Sequence, residues 1–134
     1  MNDPDIRWRQ RFSQFEKAFA LLQSAMAIEH PSIVEWAGLI QFFEMTFEIG
    51  WKLLKDFLEA EGYVINSPRA AIKQAFQSQL ITAGHEWISA LDDRNLTTHT
   101  YNEEIAELVE RKIRQDYYPL LLSLRQTFVQ KEGV

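Results

Sequence analysis

Cysteine is missing altogether from the 134 residues. That absence excludes disulfides, thiolate metal ligands and a cysteine nucleophile, and it fits a reducing cytoplasm, where the protein is expected to reside. Glycine and proline are scarce, at five and four, so there is too little turn-forming material for a many-stranded β architecture. No stretch approaches the roughly 18 apolar residues that a membrane span needs. The N-terminal MNDPDIRWRQRF lacks the apolar core of a signal peptide, and no membrane role is expected. Positive charge is also in short supply: 14 Lys and Arg face 19 Asp and Glu, for a net charge of -5. Phosphate contacts need clustered Lys and Arg, which argues against a protein that coats itself with nucleic acid.

What is present points to a packed domain. A hydrophobic content of 46%, with 13% aromatic, is globular in kind, and residues 1–134 are expected to form one domain that buries roughly two-thirds of its unfolded surface. Trp8, Phe12, Phe15, Phe19, Leu22 and Met26 succeed one another at steps of four and three, the stripe of a core-facing helix. His30-Pro31 is expected to end that helix, because a residue before proline is pushed out of helical geometry. Ser32 and Glu35 form a capping box that opens a second helix, expected to run to Glu61 and stop at Gly62. Ser67-Pro68 opens a third helix, through Gln77, and Thr82 is expected to begin a fourth that reaches Asp92. Thr100 and Glu103 offer another capping box, for a fifth helix with Ile105, Leu108, Val109 and Ile113 on one face. Pro119 is expected to kink or restart this helix ahead of Leu121, Leu124 and Phe128. The fold expected is an all-α, up-and-down bundle of about five helices.

The second helix has two readings. Gln41, Glu44, Glu48, Lys52 and Lys55 fall in one narrow sector, with apolar residues on both sides of it. Either this sector is a solvated edge laced by a Glu48–Lys52 pair, or Glu44, Glu48 and Lys52 line a cleft. A helix apolar over most of its girth is central to a bundle or covered by a second chain. A two-fold homodimer is therefore expected.

Residues 92–101, DDRNLTTHTY, carry the chemistry. Arg94 and His99 would diverge by about 140° on an unbroken helix, so they converge only where the backbone breaks. Brought together, a permanently charged guanidinium and a near-neutral imidazole suit phosphate chemistry: Arg holds phosphoryl oxygens and His moves a proton. Asn95 can orient either, and Tyr101 adds a hydroxyl. A metal site built from Asp92, Asp93, His99 and Glu103 matches no ligand spacing with a mechanism, and no metal or other cofactor is expected. His30 and His85 are expected to be surface residues.

RNLTTHTY, as Arg94, His99 and Tyr101 with Asn95 after the arginine, resembles the Arg-x4-His-x-Tyr signature of the HEPN superfamily. FEMTFEIGWKLLKDFLEAEG and SPRAAIKQAF look like helices two and three of its nucleotidyltransferase substrate-binding branch. The resemblance covers nearly the whole chain and implies an all-α homodimer encoded beside a minimal nucleotidyltransferase that binds it. It also implies that related proteins are metal-independent ribonucleases, toxins restrained by that partner, which in some pairs adenylylates the motif tyrosine. Two function classes stay open. One is a partner subunit that binds nucleotide, or is itself adenylylated at Tyr101. The other is a ribonuclease in which His99 activates a ribose 2′-hydroxyl and Arg94 stabilises charge on phosphorus. The four carboxylates Asp92, Asp93, Glu103 and Glu104 around the motif would repel an RNA backbone and favour the first. A second Arg94–His99 set across a dimer would favour the second. The partner subunit is the function expected, with the ribonuclease as the alternative.

Overall fold

The computed structural model describes residues 3–94 and 103–133. Helix α1 (Asp3–Met26) packs along α2 (Ile33–Ala60), the short α3 (Pro68–Gln77) and α4 (Gly84–Asp93) follow, and α5 (Glu103–Lys112) continues through a π turn (Ile113–Tyr117) into α6 (Tyr118–Glu132). With α5, the π turn and α6 taken as one rod, the bundle has five helices and no strand among the described residues.

The stripe on α1 is buried as its spacing requires, except for half-covered Met26. Trp8, Phe57 and Phe128 meet edge to face at 5.4–5.6 Å, which ties α1, α2 and α6 together at one end. Gly50 lies where a Cβ would stand 3.4 Å from both Phe15 and Leu124, so α1 and α6 close in on α2 there. The second helix begins as its sequence dictates. Ser32 Oγ accepts from the Glu35 N–H while the Glu35 carboxylate accepts from the Ser32 N–H, which satisfies two end donors reciprocally. It ends in a Schellman turn with Gly62 at φ +101°; the Tyr63 N–H donates to Leu58 O and the Gly62 N–H to Glu59 O.

Several boundaries differ from the sequence expectation. Helix α1 ends at Met26 rather than at His30-Pro31, because Arg114 reaches over from the π turn. Its Nη1 donates to Met26 O at 2.8 Å and its Nη2 to Ile28 O at 3.4 Å, so the last carbonyls are satisfied without further helix. Helix α4 starts at Gly84, and its cap residue Ala83 provides no side-chain bond, so Thr82 is not its cap. Leu108 is exposed on α5, whereas Val109 and Ile113 are buried. Pro119 sits in the first turn of α6, where regular helix restarts after the π turn, as expected. The widened turn ahead of it, in which the Tyr118 N–H donates to Ile113 O, accommodates a residue that has no N–H and a ring that crowds the preceding turn. Thr100 lies outside the described residues.

No helix among the described residues is long and apolar enough to cross a membrane.

Candidate functional site at the end of helix α4

Arg94 terminates α4, and its backbone N–H still donates to Ala90 O. Its side chain crosses to the middle of α2. There Nη1 donates to both oxygens of Glu48, at 3.0 and 3.4 Å. Glu48 Oε2 also accepts from the Trp51 indole Nε1–H at 2.8 Å, one turn along, which fixes the carboxylate from below. Glu48, in the charged sector of α2, therefore faces Arg94. The Glu48–Lys52 pair of the solvated-edge reading does not form. The Lys52 ammonium lies instead over the Trp51 ring, 5.9 Å from its centroid, because Glu48 is already engaged by a guanidinium and an indole. Glu44 is exposed on the same side of α2. Arg94 and Glu48 are 31% and 39% exposed, so the pair is open to solvent and worth under about 1 kcal/mol of stability.

The residues before Arg94 have their own partners. Asp92 accepts from Arg69 Nη2 at 2.8 Å. Asp93 Oδ2 accepts from Lys112 Nζ at 2.8 Å and from the Tyr117 hydroxyl. Tyr117 is buried and stacks on Phe43 at 5.6 Å. Its pKa is raised above the ordinary 10, first by burial, then by the bond it donates to Asp93 and by the charges of Asp93, Asp116 and Asp92. A raised folded-state value means that this group's stabilisation is complete below pH 10 and drains away above it.

Asn95, His99 and Tyr101 lie outside the described residues. His30 and His85 are exposed, as expected. Among the described residues no three His, Cys, Asp or Glu side chains converge as a metal site would require. The structure thus brings Arg94 to Glu48 and Asp93 to Lys112 and Tyr117, and it adds Trp51, Lys112 and Tyr117, which sequence reasoning had not grouped with the motif.

A family profile described as "nucleotidyltransferase substrate binding protein like" matches residues 10–130. The chain belongs to the nucleotidyltransferase substrate-binding protein family. This family member is 33% identical over 91 residues to the probable ribonuclease HepT of Haemophilus influenzae, an alignment spanning 62% of each chain. It also superposes on a crystal structure from Thermus thermophilus with a TM-score of 0.75 and 39% identity, covering 82% of this chain and 94% of that one. The family placement agrees with the HEPN-like architecture of the bundle.

Proposed function

We propose that this protein is a metal-independent endoribonuclease of the HEPN kind, paired with a separately encoded nucleotidyltransferase. In this reading His99 takes the proton from a ribose 2′-hydroxyl and the 2′-oxygen attacks the adjacent phosphorus. The 5′-oxygen leaves with a proton, and a 2′,3′-cyclic phosphate remains. Arg94 neutralises the charge that builds on the phosphoryl oxygens. The observation that carries the reading is the compensation of the carboxylates beside Arg94. Asp92 is neutralised by Arg69, and Asp93 by Lys112 with a further bond from Tyr117. Two of the four negative charges counted against an RNA backbone are therefore cancelled at the site. The exposed Arg94–Glu48 pair is cheap to open, so a phosphate can take over the guanidinium that Glu48 keeps oriented. The similarity to probable ribonuclease HepT supports the same reading.

Incubation with structured and unstructured RNAs in excess chelator tests it. Cleavage with 2′,3′-cyclic ends, lost in both Arg94→Ala and His99→Ala, is the expected result. A requirement for a divalent ion, or full activity in both variants, would overturn it.

The family description supports a second reading beside the first, in which the protein is the nucleotidyltransferase's binding subunit; we extend it to the motif tyrosine as the target. Its test is intact mass after incubation with the partner, ATP and magnesium. One adenylate on Tyr101, absent from Tyr101→Phe, is expected; an undiminished adduct on the Phe variant rules out that residue.

Both readings include a two-fold homodimer. Val34, Phe42, Met45 and Ile49 fall within roughly 80° of one another around α2. Val34 is 81% exposed and Met45 38%, while Phe42 and Ile49 are only partly covered. The stripe runs beside Glu48, so a copy seated on it would bring two Arg94 sites to one cleft. Light scattering at micromolar concentration should give twice the chain mass, and a monomer would remove the dimer.

A further inference from the structure

The end of α4 is gripped on two consecutive residues from two directions. Glu48 on α2 holds the Arg94 guanidinium. Lys112 and Tyr117, from the other side, hold the Asp93 carboxylate, and both donate to the same oxygen. Tyr117 follows Lys112 by five positions. On a regular α-helix five steps leave two side chains about 140° apart, too far to meet on one atom. Between them lies the π turn, whose i to i+5 hydrogen bonding brings residues five apart back onto one face. The widened turn is what allows both donors to converge on Asp93. Such turns are rare and occur frequently at functional sites.

We propose that Lys112 and Tyr117 are positioning residues for Arg94: by clamping Asp93 they fix the last turn of α4 and hence the direction from which the guanidinium meets Glu48 and substrate. A purely structural role would be served by phenylalanine at 117, because the ring alone makes the stack on Phe43. Only the hydroxyl reaches Asp93. It is bonded to a carboxylate in a half-enclosed pocket that Glu86, Ser89, Asp92 and Asp116 also line. The carbonyls of a helix's last turn lack helical partners, so other bonds must hold that turn's shape. The catalytic part of the inference rests on the ribonuclease reading, whereas the mechanical part stands without it.

Tyr117→Phe keeps the ring and removes the clamp's neutral donor, and Asp93→Asn keeps the shape and weakens both donors' grip. Two readouts separate the roles. The Arg94 amide, bonded to Ala90 O, should exchange its hydrogen tenfold or more faster in both variants, with the buried Leu54 amide unchanged. In RNA cleavage, kcat should fall tenfold or more with KM within twofold of wild type, since a misdirected guanidinium still binds phosphate but meets the transition state badly. Wild-type exchange at Arg94, or wild-type kcat, in both variants would overturn the proposal. If the unmodified protein cleaves no RNA, the ribonuclease reading falls, and the exchange rates alone decide whether the clamp exists.

Discussion

The α1–α2 hairpin and the end of α4 are held by different physics. In the hairpin, Phe12, Phe15, Phe19 and Leu22 of α1 lie buried in one core with Leu39, Phe43, Phe47 and Leu54 of α2, and a deep polar link joins Arg11 Nε to the 4%-exposed Asp56 at 2.8 Å. At the end of α4, Trp87, Ala90 and Leu91 supply a short apolar footing, and the last two residues depend on carboxylate bonds to side chains far along the chain. The hairpin gains from area removed from water, which is forgiving of direction. The α4 end gains from directed bonds, which contribute little to stability and much to placement. The region with the least stabilisation is therefore the one whose geometry is most narrowly specified.

That contrast makes graded predictions. Phe15→Ala, at a fully buried position against Gly50, should cost about 3–5 kcal/mol in urea unfolding; a loss under 1 kcal/mol would mean that the hairpin is not the stabilising core. Arg11→Ala should follow at about 3 kcal/mol, because it strands a buried carboxylate, and adding Asp56→Leu should return part of the loss. If the double variant is worse than the single, the Arg11–Asp56 pair is not a compensated charge. Gln79 comes next. It occupies the left-handed position of the α3 Schellman turn at φ +61°, with the Leu80 N–H donating to Ala75 O, where α2 uses Gly62. Gln79→Gly should raise the melting temperature, by about 1 kcal/mol of added stability, and a fall would show that the glutamine side chain contributes more than its backbone strain costs. Glu48→Gln should change stability least, by under about 1 kcal/mol, yet lower RNA cleavage tenfold or more. Unchanged cleavage in that variant would erase the contrast between the two regions.

Much of the hairpin was legible because local chemistry writes it into neighbouring residues. Ser32 with Glu35, Ser67 with Pro68, and the steps of four and three from Trp8 to Leu22 all act within one or two turns, and the structure follows each of them. The boundaries that moved depend on distant residues. Helix α1 stops early because Arg114, 88 residues after Met26, caps it, and no pattern within α1 records that. At the candidate site, Arg94 and Glu48 were each singled out by their own local signal, but their pairing spans 46 residues and has no periodic trace. Lys112 and Tyr117 were missed for a related reason. Five-residue spacing reads as divergent on an α-helix, and only the π turn makes it convergent. The signal that could have found them was Pro119, a residue that demands some irregularity in the turn before it.

The π turn also acts on the chain as a shift of reading frame. Val109, Ile113, Tyr117 and Leu121 are all buried at successive steps of four, and on an unbroken α-helix three such steps would carry the stripe about 120° around the rod. One surplus residue takes back most of that drift, so Leu124 and Phe128 remain over the same core as Val109. Deleting a single residue between 113 and 117 would mend the helix's bonding and at the same moment turn every later side chain by about 100°. Either α5 or α6 would then present its wrong face. The length of this segment is thus fixed to the residue by geometry, whatever its composition.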